Sequence, residues 1–207
     1  MEEIEQQMSS IRKELEDSPD DPGLLNELGV GHQLLGEYEE AEKCFLKAIE
    51  EDPGEYTAYY NLANTYVEME RVEEAVNRYL DALDRKADFV PALNNLADIY
   101  CMAGEDERAL ELFEYITRLK PKDPTGHFNL GNHLLRMNDT VEAGRAYQQV
   151  LELDDAYYEA WNNIGFILKH LGKYEEAIPY YERCLEIKPD YRPALDDIRE
   201  CRRKVGE

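Results

Sequence analysis

Residues 56–89 read YTAYYNLANTYVEMERVEEAVNRYLDALDRKADF, and their frame returns every 34 residues along the chain. Tyr59, Leu62, Ala63 and Tyr66 fall at i, i+3, i+4 and i+7, the spacing of one apolar helix face. Glu70 and Arg71 interrupt the pattern, and Ala75, Tyr79 and Ala82 resume it, so the stretch predicts two short amphipathic helices joined by a turn. Ala75 belongs to a column of five alanines: Ala41, Ala75, Ala109, Ala143 and Ala177. Twelve residues before each lies a small residue, Gly29, Ala63, Ala97, Gly131 or Gly165, and next to that Leu28, Leu62, Leu96, Leu130 or Ile164. Four residues after each alanine comes Phe45, Tyr79, Phe113, Tyr147 or Tyr181. Columns that hold one period through five copies without insertion mark a repeat architecture.

The column chemistry has a packing reason. Small residues on both helices let the backbones approach, and the aromatic ring fills the gap to the next unit. Gly36, Gly104 and Gly172 stand at the turns, where glycine adopts the left-handed cap. Pro53, Pro121 and Pro189 close three copies, and Pro179 is expected near the start of a helix, where a missing amide is tolerated.

The pattern resembles the tetratricopeptide repeat family, whose consensus places a bulky residue at position 4, leucine and a small residue at 7 and 8, alanine at 20 and proline at 32. The resemblance implies an all-α, right-handed solenoid of stacked helix-turn-helix repeats at 22–55, 56–89, 90–123, 124–157 and 158–191. Departures are His32 at position 11, His127 at position 4, and Ala87 and Asp155 at the usual proline. Residues 1–21 are expected to form an N-terminal capping helix through Ile4, Met8, Ile11 and Leu15. Residues 192–207 continue the register with Leu195 and Ile198, but Arg199 replaces the small residue, as suits the polar outer face of a C-terminal cap.

Composition narrows the function. Of 207 residues, 46 are acidic and 23 basic, a net charge of -23 that argues against nucleic acid or an anionic membrane as partner. The excess concentrates in residues 1–100, where 25 acids face 8 bases. No stretch approaches a membrane span or a signal peptide. Cys44, Cys101, Cys184 and Cys201 form no zinc spacing and read as buried thiols in a reducing compartment, with a cytoplasmic location expected. No catalytic motif accompanies His32, His127, His133 or His170, and the acidic pairs Glu39-Glu40, Glu73-Glu74 and Glu175-Glu176 fit helix-dipole stabilisation. No enzyme, cofactor or metal site is expected.

The candidate site is a stripe of the first helices. Asn61, Asn95, Asn129 and Asn163 recur at position 6 of four copies, and Asn64 and Asn132 lie one turn further on. A primary amide both donates and accepts, so such a row can pair with a peptide backbone of any sequence. The row resembles the asparagine ladder of the O-linked N-acetylglucosamine transferase repeats, which implies grip on an extended peptide in a concave groove. Tyr60, Phe128 and Phe166 are expected to supply apolar pockets. Asp98 and Glu68 are expected to make one part of the stripe acidic, suiting a basic segment, and Arg136, Lys169 and His170 to make another part basic. The lysines and arginines with which some members of the family clamp acidic tails are missing: Pro91, Asn95, Thr125 and Asn129 occupy those positions. The expected role is a non-catalytic adaptor for another protein or peptide. The alternative is an assembly scaffold working through its convex face or ends, with Tyr56 and Tyr157 as outward-facing examples. The oligomeric state is not readable.

Overall fold

A computed structural model describes residues 2–206; Met1 and Glu207, the outermost residues of the two expected caps, lie outside the described residues. Twelve α-helices and no strand occur among the described residues: α1 Glu2–Asp17, α2 Pro22–Leu34, α3 Tyr38–Glu51, α4 Tyr56–Glu68, α5 Val72–Arg85, α6 Val90–Ala103, α7 Asp106–Leu119, α8 Pro124–Arg136, α9 Thr140–Leu153, α10 Tyr158–His170, α11 Tyr174–Ile187 and α12 Arg192–Val205. The even-numbered helices from α2 onward each begin 34 residues after the last, which is the all-α repeat architecture that the columns imply.

Local chemistry sets the helix ends. Asp21 and Asp123 accept backbone amides of Leu24 and Thr125 at 2.9 and 3.0 Å, and Pro22 and Pro124 occupy first positions, where no amide is needed. Gly36, Gly104 and Gly172 turn the chain with φ of 75°. Two other turns use Glu70 and Asn138 at φ of 59° and 63°. Glutamate disfavours that region, whereas glycine enters it freely. Glu70→Gly is therefore expected to stabilise the chain by about 1 kcal/mol, read as a higher urea midpoint. A lower midpoint would show that the Glu70 side chain holds the turn.

The chain divides into two compact units, one running to Met102 and the other starting at Ala103. In the first, α2 pairs with α3 and α4 with α5, while α1 packs on α2 and α3 on α4. In the second, each helix from α7 to α11 packs on its successor, with α8–α9 and α10–α11 as hairpins. The alanine column is fully buried in both units. Phe45, Tyr147 and Tyr181 are also at 0 % exposure, each pressed on the glycine of its partner helix.

Position 4 has its own polar device. Tyr59, His127 and Trp161 each reach back six residues to a backbone carbonyl, of Pro53, Pro121 and Asp155, at 3.4, 3.2 and 2.8 Å. His127 thus does the work of a tyrosine or tryptophan ring. His32 is buried, with Nδ1 2.6 Å from the Glu37 carboxylate.

Three expectations need correction. Pro179 is the sixth residue of α11, one turn deeper than a helix start, so the Glu175 carbonyl loses its usual i+4 amide. Cys184 and Cys201 are buried, but Cys44 and Cys101 are only half-buried, because they flank the core column. Tyr56 and Tyr157 do not project freely: their rings pack on Phe89 and Phe128, with centroids 4.8 and 4.9 Å apart. No helix of the described residues is long and apolar enough to cross a membrane.

Candidate functional site

In the first unit the asparagine stripe is a hydrogen-bonded network between neighbouring helix pairs. Asn61 donates its amide to Asn26 Oδ1 at 3.0 Å. Asn95 donates to Asn64 Oδ1 at 2.9 Å and to the Tyr79 hydroxyl at 3.1 Å, and Tyr79 in turn donates to Asn64 Oδ1 at 2.5 Å. Tyr60 leans on Phe89 and Tyr79, with ring centroids 5.1 and 5.9 Å away. A pocket of about 450 Å³ opens over this network, walled by Asn64, Asn95, Glu68, Asp98 and Ile99. Met102, 76 % exposed, stands at its rim. Partial desolvation holds the Asp98 carboxyl above the usual aspartate pKa, although the residue as a whole is exposed.

The second unit repeats the network. Asn163 donates to Asn132 Oδ1 at 3.2 Å and Tyr147 donates to the same oxygen at 2.8 Å. Asn129 is half-buried on α8. Phe128 packs on Tyr147 and Tyr157, and Phe166 on His170 with ring centroids 4.0 Å apart. A pocket of about 480 Å³ gathers Asn132, Leu135, Arg136, Thr140, Phe166 and His170 among its walls. The expected basic end is largely answered within the unit. Lys169 Nζ lies 2.6 Å from Asp197 and 3.2 Å from Glu200, and its side chain is 14 % exposed. Arg136 pairs with Asp106.

The structure thus brings Asn64, Asn95, Asp98 and Glu68 to one pocket and Asn132, Arg136 and Phe166 to another, while Lys169 is turned to α12. The tyrosines and Asn26 are the parts that the stripe alone did not reveal. A sequence signal for them exists. The copies with asparagine at position 9, Asn64 and Asn132, carry tyrosine at position 24, Tyr79 and Tyr147. The copies with Val30 or Asp98 carry phenylalanine, Phe45 or Phe113. In the last pair Tyr181 donates to Asp197 at 3.0 Å, the acid standing where the next asparagine would.

Burial pushes the Tyr79 and Tyr147 hydroxyls up to about 12, above the ordinary 10. The folded state favours their neutral form, so their contribution to stability is complete below pH 10 and is lost as pH rises through about 12. The urea midpoint is expected to fall across that window, and to fall less steeply in a Tyr79→Phe/Tyr147→Phe variant. Equal slopes would remove these hydroxyls from the alkaline response.

Three tetratricopeptide repeat family profiles match the chain, at residues 20–88, 60–124 and 158–191. Human protein O-mannosyl-transferase TMTC1 is 28% identical over 179 residues, 84% of this chain and 20% of that protein. The chain spans about a tenth to a fifth of the length of the curated relatives it matches. Among solved structures, the C-terminal part of a repeat-containing protein from Cytophaga hutchinsonii superposes with a TM-score of 0.82 at 18% identity, covering 98% of this chain and 81% of that one. YrrB, described as having an unusual peptide-binding site, superposes with a TM-score of 0.72 at 24% identity, covering 90% and 96%.

Proposed function

The chain belongs to the tetratricopeptide repeat family, and from that premise we propose that it is a non-catalytic adaptor holding an extended segment of another protein. Fold alone does not assign a ligand. The observation that carries the reading is the orientation of Asn64 and Asn132. Each has its carbonyl oxygen taken by a tyrosine and by the next asparagine, which leaves the –NH2 end for the pocket that it lines. A donor held in that way pairs with a peptide carbonyl whatever the side chain, and loses little freedom on binding. The pocket of the first unit suits a lysine or arginine side chain, with its charge toward Glu68 and Asp98 and its stem along Met102. The net charge of -23 would steer such a partner. Four free cysteines suit a reducing compartment, the cytoplasm by default.

The test is binding of extended lysine- and arginine-containing peptides, followed by fluorescence anisotropy. Asn64→Ala should weaken binding about fivefold, the value of one modest hydrogen bond. Glu68→Lys/Asp98→Lys should weaken basic peptides and spare neutral ones. Unchanged affinity in the asparagine variant, with helicity intact, would sink backbone recognition. Unchanged affinity in the charge-reversed variant would sink the preference for basic segments.

A further inference from the structure

The pockets of the two units are built on one frame. Asn64, Val67 and Ile99 of the first recur two repeats later as Asn132, Leu135 and Ile167 of the second. The volumes are alike, about 450 and 480 Å³. Three wall positions change in kind: Glu68 becomes Arg136, Asp98 becomes Phe166 and Met102 becomes His170. Both acids are thereby lost, and no carboxylate lines the second pocket among the described residues.

No free positive charge takes their place. Arg136 pairs with Asp106, and its guanidinium also lies 3.2 Å from His133 Nδ1. An anion entering here would meet a cation already neutralised, and a lysine would meet no counter-charge, so either would leave water uncompensated. A neutral side chain escapes that cost. The remaining walls suit a ring. Leu135 and Ile167 are aliphatic, and Phe166 and His170 stack with centroids 4.0 Å apart and planes at 39°. Aromatic pairs prefer such tilted or edge-on neighbours.

His170 also tells a phenol from a phenyl ring. Its Nδ1 lies 3.1 Å from the Phe166 carbonyl oxygen. A carbonyl only accepts, so in the neutral imidazole the proton sits on Nδ1 and the lone pair on Nε2. Nε2 of this exposed residue is then an acceptor for a hydroxyl.

We propose that the pocket of the second unit takes a tyrosine side chain of the bound segment, its ring against Phe166 and His170 and its hydroxyl donating to His170 Nε2. The proposal rests on the adaptor reading of the same stripe: Asn132 holds the segment's backbone, and the changed walls choose the residue. One frame thus selects a basic side chain in the first unit and a phenol in the second.

NMR titration of the 207-residue chain with blocked pentapeptides tests this, serine and glycine flanking one tyrosine, phenylalanine, glutamate or lysine. Shifts of the Asn132 side-chain amide report the second pocket, and those of Asn64 the first. At Asn132 tyrosine should bind tightest and phenylalanine about fivefold more weakly, the value of one modest hydrogen bond. Glutamate and lysine should follow both. His170→Phe keeps a ring but removes the acceptor, so tyrosine and phenylalanine should become equal. Phe166→Asp imports the acid of the first pocket and should put lysine ahead of tyrosine. Phe166 is half-buried and His170 exposed, and circular dichroism should show unchanged helicity in both variants. Glutamate or lysine first at Asn132 in the wild type would overturn the proposal, as would a tyrosine preference that survives His170→Phe. Lysine shifts at Asn64 with no peptide shifting Asn132 would overturn it while the adaptor reading stands. Silence at both asparagines would remove the two together.

Discussion

Tyr147→Ala is expected to destabilise the second unit by about 3–5 kcal/mol, the range for truncating a fully buried aromatic ring. The ring is at 0 % exposure, pressed on Gly131, and 5.8 Å from the Phe128 centroid. Truncation removes that packing, and the absence of a side chain at Gly131 leaves little to collapse into the space. It also strips Asn132 Oδ1 of a donor, while Tyr147→Phe strips the donor alone and should cost about 1 kcal/mol. The difference between the two variants isolates the ring from the hydroxyl. Trp161 is the one tryptophan of the sequence and packs in the same core cluster, so its fluorescence follows this unit during urea unfolding. A loss for the alanine variant no larger than that for the phenylalanine variant would mean that the ring is not what holds the unit together.

The same residue shows what the sequence could and could not disclose. The fold was legible because its determinants are steric and strictly periodic. Alanine at position 20 and a ring at position 24 admit few packings, and the helix starts recur at the 34-residue interval of the columns. The site was legible only in part. Asparagines at position 6 read as a surface row, but their partners sit one helix pair away, at separations such as the 31 residues between Asn64 and Asn95. The pairing of Tyr79 with Asn64 and of Tyr147 with Asn132 was visible as joint variation of two columns. Reading it required treating the aromatic as a hydrogen-bond donor as well as a filler. Lys169 was read as a free cation of the stripe because charge on a helix face says nothing about the next helix. In the structure Asp197 and Glu200 claim it. Tyr56 and Tyr157 misled for a related reason: a tyrosine at the edge of a helix finds the ring of its neighbour before it finds a partner protein.

Gly131→Leu is the second large effect, expected at about 3 kcal/mol or more, at the upper end for overpacking a core. A β-carbon at Gly131 would stand 2.7 Å from Tyr147 Cε1 and 2.9 Å from Cδ1, closer than unbonded carbons approach. The ring cannot withdraw cheaply, because its hydroxyl is tied to Asn132 and the ring packs against Phe128. Gly131→Ala should be far milder. The clash is relieved by a small shift, as Ala63 and Ala97 show at the same register, and alanine returns about 1 kcal/mol of helix propensity over glycine. A double-mutant cycle sharpens the expectation. In the Tyr147→Ala background the space that leucine needs is already empty, so Gly131→Leu should cost at least about 1 kcal/mol less than in the wild type. Additive losses would show that the glycine column answers to the helix backbone rather than to the ring.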